Sequence, residues 1–223
     1  MLYIVSTPIG NLQDITYRAV ETLQNVDLIA AEDTRHTKIL LDHYQIRTPL
    51  TSYFEHNEIK KAEYLVEQMK AGKKIALVTD AGTPGISDPG YRIIQLARQE
   101  KVAITVVPGP TALIAALSLS GLPAHRFVFE GFLPVKSQAR RKKLEEMKGQ
   151  KGTMIFYESP HRIVKALQDI KEVLDDPTVV CGREITKKFE EVKQGKASEL
   201  LEYFSTKTPK GEFVVLIENK KAG

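Results

Sequence analysis

Residues 73–90 read KKIALVTDAGTPGISDPG, and the reading of the fold starts there. Ile75 to Val78 is a short apolar, β-rich run, and Asp80 arrives where the strand ends. Its carboxylate is therefore expected at the carboxyl edge of a sheet, where open α/β sheets bind ligands. The loop that follows spends Gly82, Gly85 and Gly90 on positive φ and close backbone approach, while Pro84 and Pro89 stiffen it. A plain tight connection into a helix would use any one of these residues; the whole set points to a ligand loop.

Working outward, Leu2 to Val5 reads as a first buried strand, closed by Thr7-Pro8-Ile9-Gly10-Asn11, a second loop of the same chemical kind that could face the same pocket. Asp14 is expected to cap a helix carrying Ile15, Ala19 and Leu23, and Leu28 to Ala31 to form a strand ending at Glu32-Asp33. Ile59, Ala62, Leu65, Val66 and Met69 recur at helical spacing, with Gly72 as the stop. Tyr91 to Arg98 reads as helix, Ile104 to Val107 as strand, and the helix after Pro108-Gly109-Pro110 is apolar on nearly every face, so its burial is expected. Alternating strands and helices argue for a parallel sheet.

The register restarts after Gly121-Leu122-Pro123, which places the expected boundary between domains of residues 1–120 and 121–223. Phe127 to Phe132, Met154 to Tyr157, Val179 to Cys181, Glu191-Val192 and Glu212 to Ile217 read as strands of a second α/β domain. A basic helix opens at Ser137, another is capped by Ser159-Pro160, and a third by Ser198. The chain has 223 residues, net charge +4 and a single cysteine, Cys181, which excludes an intrachain disulfide and fits a reducing cytosol. The opening lacks a basic segment before a long apolar one, and no run reaches about eighteen uninterrupted apolar residues, so a soluble, cytoplasmic protein without a membrane span is expected. His43, His56 and His125 stand apart, and no metal-ligand spacing is visible.

Three clusters carry candidate chemistry. Glu32-Asp33-Thr34-Arg35-His36 puts carboxylates, a guanidinium and an imidazole at the start of a helix; an acidic first turn explains the carboxylates, but Arg35 and His36 oppose the helix dipole. Asp33, Arg35 and His36 are thus candidate catalytic residues, joined by Glu184, which lies near Lys187 and Lys188 after the Cys181 strand. Arg140-Arg141-Lys142-Lys143, with Arg162, Lys187 and Lys188, are candidate contacts to a nucleic-acid phosphate backbone, although a solvated helix face would carry the same run.

The blocks STPIGNLQDIT (6–16), AEDTRHTKILL (31–41), VTDAGTPGISDPG (78–90), VVPGPTALIAALSLSGLP (106–123), EGFLP (130–134), FYESPHR (156–162) and REITKKFEE (183–191) resemble the ribosomal RNA small subunit methyltransferase I family, within the tetrapyrrole methylase superfamily. The resemblance covers nearly the whole chain. It implies two α/β domains with S-adenosylmethionine held in a cleft between them, a homodimer, and 2′-O-methylation of a cytidine in 16S ribosomal RNA or the small ribosomal subunit. It also implies that Pro8, Ile9, Asp80, Ala81, Gly82, Thr83, Thr111, Ala112, Tyr157, Gly211 and Glu212 line the cofactor. Many tetrapyrrole methylases have a G-x-G-x-G-D turn after the first strand, where this chain has Ser6-Thr7-Pro8-Ile9-Gly10-Asn11, a departure that resembles the RNA branch. Two other functions remain open at this point: a methyltransferase of the same fold acting on a tetrapyrrole or a protein side chain, and a non-catalytic RNA-binding assembly factor.

Overall fold

The computed structural model describes residues 1–206 and 208–219, which fall into two compact units that divide between Thr111 and Ala112. The first holds a five-stranded, wholly parallel sheet of β1 (Leu2–Val5), β2 (Leu28–Ala31), β3 (Leu50–Ser52), β4 (Ile75–Val78) and β5 (Ile104–Val107), in the order β3-β2-β4-β1-β5. Leu2 lies opposite both Ile75 and Ile104. Strand β4 is buried along its length, so it reads as a continuous apolar run and not as an alternation.

Successive residues of these strands feed two apolar layers. Leu2, Ile4, Ile75 and Leu77 pack with α3 (Glu58–Lys70) and α4 (Tyr91–Gln99), whereas Val5, Ile29, Ala31, Ala76 and Val78 pack with α1 (Tyr17–Asn25) and α2 (Thr34–His43). The neighbouring strands β1 and β4 therefore lead to helices on opposite faces, and such a divergence opens a crevice at the carboxyl edge. Asp14 does not cap α1. Residues Leu12–Asp14 form a 3₁₀ turn, and Thr16 Oγ1 accepts the Ala19 N–H at 3.1 Å.

The second unit has β6 (Phe127–Phe132), β7 (Gly152–Glu158), β8 (Thr178–Arg183), β9 (Glu191–Lys196) and β10 (Phe213–Asn219), in the order β6-β7-β10-β8-β9. Only the β6–β7 pairing is parallel. Met154, Phe156, Cys181, Phe213, Val215 and Ile217 meet α6 (Ser137–Met147), α7 (Ile163–Val173) and α8 (Ala197–Ser205) in one core. The opposite face carries α5 (Ala112–Ser120), which touches β7, β8, β9 and β10. This packing assigns α5 to the second unit and corrects the expected boundary after residue 120. Leu113, Ala116 and Leu117 are buried as the apolar composition requires, but Ile114 and Leu119 are exposed.

Two helix starts also differ from expectation. The Ser159 carbonyl accepts the Arg162 and Ile163 N–H groups in a turn, so α7 begins at Ile163 and not at Pro160. Ser198 lies inside α8 and pairs with Asp176. Cys181 is buried, and burial pushes its thiol far above the ordinary range, which makes it an inert core residue. Among the described residues no helix is long and apolar enough to cross a membrane, and no cluster of metal ligands occurs.

Candidate functional site

At the carboxyl edge of the first sheet, the loops after β1 and β4 are joined. Thr7 and Gly82 form an antiparallel bridge, with N–H to carbonyl distances of 2.8 and 3.1 Å. Gly82 takes φ +84°, which a side chain would strain, although a Cβ there would meet Ile9 and the Pro110 carbonyl only at ordinary contact distance. A chain of hydroxyls runs from Ser6 through Thr83 to Thr111, each step 2.8 Å, and ties the β5 loop to the other two. The Thr79 hydroxyl is buried without a hydrogen-bond partner, a vacant polar valence just before Asp80. Pro8 and Ile9 are buried beneath the bridge, whereas Ala81 is exposed.

The loops after β2 and β4 exchange backbone for carboxylate. Asp80 Oδ1 accepts the Asp33 N–H at 3.1 Å, and Glu32 Oε2 accepts the Asp80 N–H at 3.3 Å. Asp33 caps α2 through Arg35 N and also holds the Arg35 guanidinium, at 2.8 and 2.7 Å. That guanidinium keeps the Asp33 carboxyl well below the usual carboxylate range, so Asp33 is a poor proton acceptor. Arg35 and His36 are otherwise exposed.

Glu32 behaves oppositely: burial raises its carboxyl, the Asp80 N–H opposes this, and the Asp80 and Asp33 carboxylates add to it. The folded chain thus holds this proton more tightly than the unfolded chain. Its contribution to stability is complete below the unfolded value of about 4.3 and is lost as pH rises through the folded value. Urea unfolding across mildly acidic pH is expected to show the parent losing stability relative to Glu32→Gln as pH rises, with a constant offset above that window. Parallel profiles throughout would contradict the assignment.

In the second unit Glu184, at φ +50°, accepts the Glu212 N–H at 3.0 Å and donates its own N–H to the Glu212 carbonyl. Lys187 bridges the two carboxylates at 2.9 and 2.8 Å. A Cβ on Gly211, itself at φ +84°, would collide with the Glu184 side chain. Glu184 and Lys187 are thereby held as an ion pair, with the Glu184 carboxyl lowered by Lys187 and the Glu212 N–H against the opposing effect of burial. Tyr157 is half-buried at the end of β7, edge-on to Phe129 and Phe132.

The cationic run is not what the sequence suggested. Arg140 is only 2% exposed and pairs with the buried Asp169 at 2.6 Å, so it is unavailable to RNA and belongs to the core. Arg141 reaches Asp169 and Glu172, Lys143 pairs with Glu130, and Arg162 pairs with the buried Glu158 at 3.0 Å. Lys142 is exposed with no ion pair among the described residues, and exposed Lys188 lies over the Phe189 ring. No sequence signal distinguished these cases, because Asp169 lies a helix away from the run it neutralises.

The model of the Tetrapyrrole (Corrin/Porphyrin) Methylases matches residues 1–201. The chain is 50% identical over 224 residues to the ribosomal RNA small subunit methyltransferase I of Escherichia coli O157:H7, covering 99% of this chain and 78% of that one. It is 46% identical over 220 residues to the Thermotoga maritima protein of the same name, covering 99% of each. The chain belongs to the ribosomal RNA small subunit methyltransferase I family. Solved structures that share its fold include diphthine synthase (TM-score 0.78, 16% identity, covering 100% of this chain and 90% of that one) and uroporphyrin-III-C-methyltransferase from Thermus thermophilus (0.68, 17%, 98% and 94%). As a member of the ribosomal RNA small subunit methyltransferase I family the chain is a methyltransferase and needs a methyl donor. The first unit's edge has what a donor would use: an unsatisfied hydroxyl at Thr79, side-chain-free backbone at Gly82, and the carboxylates of Glu32 and Asp80.

Proposed function

We propose that the chain transfers a methyl group from S-adenosylmethionine to the ribose 2′-hydroxyl of a cytidine in 16S ribosomal RNA, alone or in the small subunit, with the donor held at the carboxyl edge of the first unit. One observation carries the donor assignment: Glu32, Asp33 and Asp80 gather there, and the guanidinium beside them is already engaged with Asp33. Such an edge repels a phosphorylated ligand and suits one bearing a sulfonium and an ammonium. Pro8, Ile9, Ala81, Gly82, Thr83 and Thr111 supply the walls. The RNA assignment follows the names of the relatives.

When bound, S-adenosylmethionine supplies a methyl carbon already activated by its sulfonium. The protein's task is then mainly alignment, worth up to about 7–11 kcal/mol. Asp33 with Arg35, and Glu184 with Lys187, act in this proposal as fixed charges that orient, since each carboxylate is already filled by a cation. His36 stands exposed beside the first pair. Glu32, which retains its proton affinity, is better matched to accept the proton of a ribose hydroxyl. Of the candidate cations named from the sequence, Lys142 and Lys188 are exposed and are proposed to meet RNA phosphate, and the protein is proposed to work in the cytoplasm as a homodimer.

Methyl-labelled donor incubated with purified protein and small ribosomal subunits, followed by nuclease digestion, tests the reading. Label on the ribose of one cytidine of the 16S chain is expected. Label on a base, on a ribosomal protein or on an added tetrapyrrole would overturn it.

A further inference from the structure

We propose that Phe132 is a stacking surface for an unpaired base of the RNA substrate, an inference that rests on the RNA-methylating reading above. Strand β6 lies at the edge of its sheet, and its pairing with β7 slips: Phe129 lies opposite Ile155, but Phe132 lies opposite Tyr157. Three steps on one strand thus match two on the other. In a regular strand, residues three apart point to opposite faces. The irregularity, with Gly131 at φ +61°, returns Phe132 to the face of Phe129. Both rings then meet Tyr157 edge-on, with centroids 5.0 and 5.8 Å away. Glu130, inside the same irregularity, reaches Lys143 on α6 at 2.7 Å.

The backbone beyond the ring is fastened as well. Arg162 Nη2 donates to the Leu133 carbonyl at 2.6 Å, and Arg140 Nη1 donates to the carbonyls of Pro134 and Val135 at 3.3 and 3.1 Å. Each arginine is held by a buried carboxylate, Glu158 or Asp169. Buried ion pairs carry a desolvation cost and are weak devices for stability alone. Here they immobilise a segment whose aromatic ring remains 56% exposed. A ring serving the core would be covered. This one is aimed, braced and left open, so a ligand that covers it loses little conformational entropy.

A flat, sequence-tolerant partner suits such a ring. Single-stranded RNA is recognised by bases splayed out onto aromatic side chains, and access to one 2′-hydroxyl requires a nucleotide displayed in that way. Phe132 therefore binds substrate, and Arg140 and Arg162 are its positioning residues.

The chain contains no tryptophan, so Phe132→Trp installs a single reporter at the ring. Titration with a short cytidine-containing single-stranded oligoribonucleotide is expected to quench its emission saturably, and S-adenosylmethionine alone to leave it unchanged. Phe132→Ala is expected to raise the KM for the small subunit roughly 5- to 100-fold, the range of one lost base–aromatic stack, with donor Kd unaltered. Arg162→Lys, which keeps the charge but loses the fork, should raise that KM more than it lowers kcat. Quenching by the donor alone would assign the ring to the donor site and overturn the proposal, as would parent-like kinetics of Phe132→Ala with no RNA quenching. Parent protein that leaves RNA unlabelled overturns the functional reading and this inference together; parent that labels RNA while Phe132→Ala does so equally overturns this inference only.

Discussion

Arg140→Gln is expected to destabilise the protein by about 3–5 kcal/mol, because it leaves Asp169 buried without its principal partner. The lower end of that range is expected, since Ser137 and Arg141 still reach the same carboxylate. Against a total stability of order 5–15 kcal/mol the loss is large. Urea unfolding measures it directly, and a loss below about 1 kcal/mol, the worth of an exposed pair, would mean that the pair is solvent-screened. At temperatures where the variant stays folded, the salt slope of RNA binding should match the parent's. Lys142→Gln should leave stability untouched and flatten that slope by about 0.7, as expected for one single-strand phosphate contact.

Asp80→Ala is expected to weaken S-adenosylmethionine binding roughly 10- to 100-fold, the worth of a hydrogen bond to a charged group, and methyl transfer with it. The fold should lose far less. Asp80 is half-buried, and its removal leaves the Asp33 N–H at a loop surface where water can reach it, while Ile75 to Val78 remain packed behind it. Calorimetric titration alongside thermal unfolding separates the two quantities. Equal losses of binding and stability would make Asp80 a structural residue.

Much of the fold was legible because short apolar, β-rich runs announce themselves as strands. Leu2 to Val5, Leu28 to Ala31, Ile75 to Val78, Ile104 to Val107 and Phe127 to Phe132 begin and end where the apolar runs do. Strand β3 escaped notice because Leu50-Thr51-Ser52 is too short and too polar to show a period. The two-residue reading at Glu191-Val192 fell short of β9 because EVKQGK alternates on a half-exposed strand that carries few apolar side chains. Helix α5 was assigned to the wrong unit since an all-round apolar helix does not say which sheet covers it.

The site was legible at the level of loops and less so at the level of charges. Proline-flanked glycines after β1 and β4 identified the edge, and the structure joins those loops through Thr7 and Gly82. Whether a charged side chain faces water or a buried partner depends on residues distant in sequence. Arg140 and Lys142 look alike in the run that contains them, and only Asp169 on α7 separates them. The roles of Glu158 and Arg162 were hidden for the same reason. Their partners include the backbone carbonyl of Leu133, which no side-chain pattern records.

The most direct test of the central claim is a crystal structure of the protein grown with S-adenosylhomocysteine, the demethylated donor. Density for the ligand within hydrogen-bond reach of the Asp80 to Thr83 loop, its charged amino group towards Glu32 or Asp80, is the expected result. Ligand bound elsewhere with that edge filled by solvent, or no binding at millimolar concentration, would contradict it.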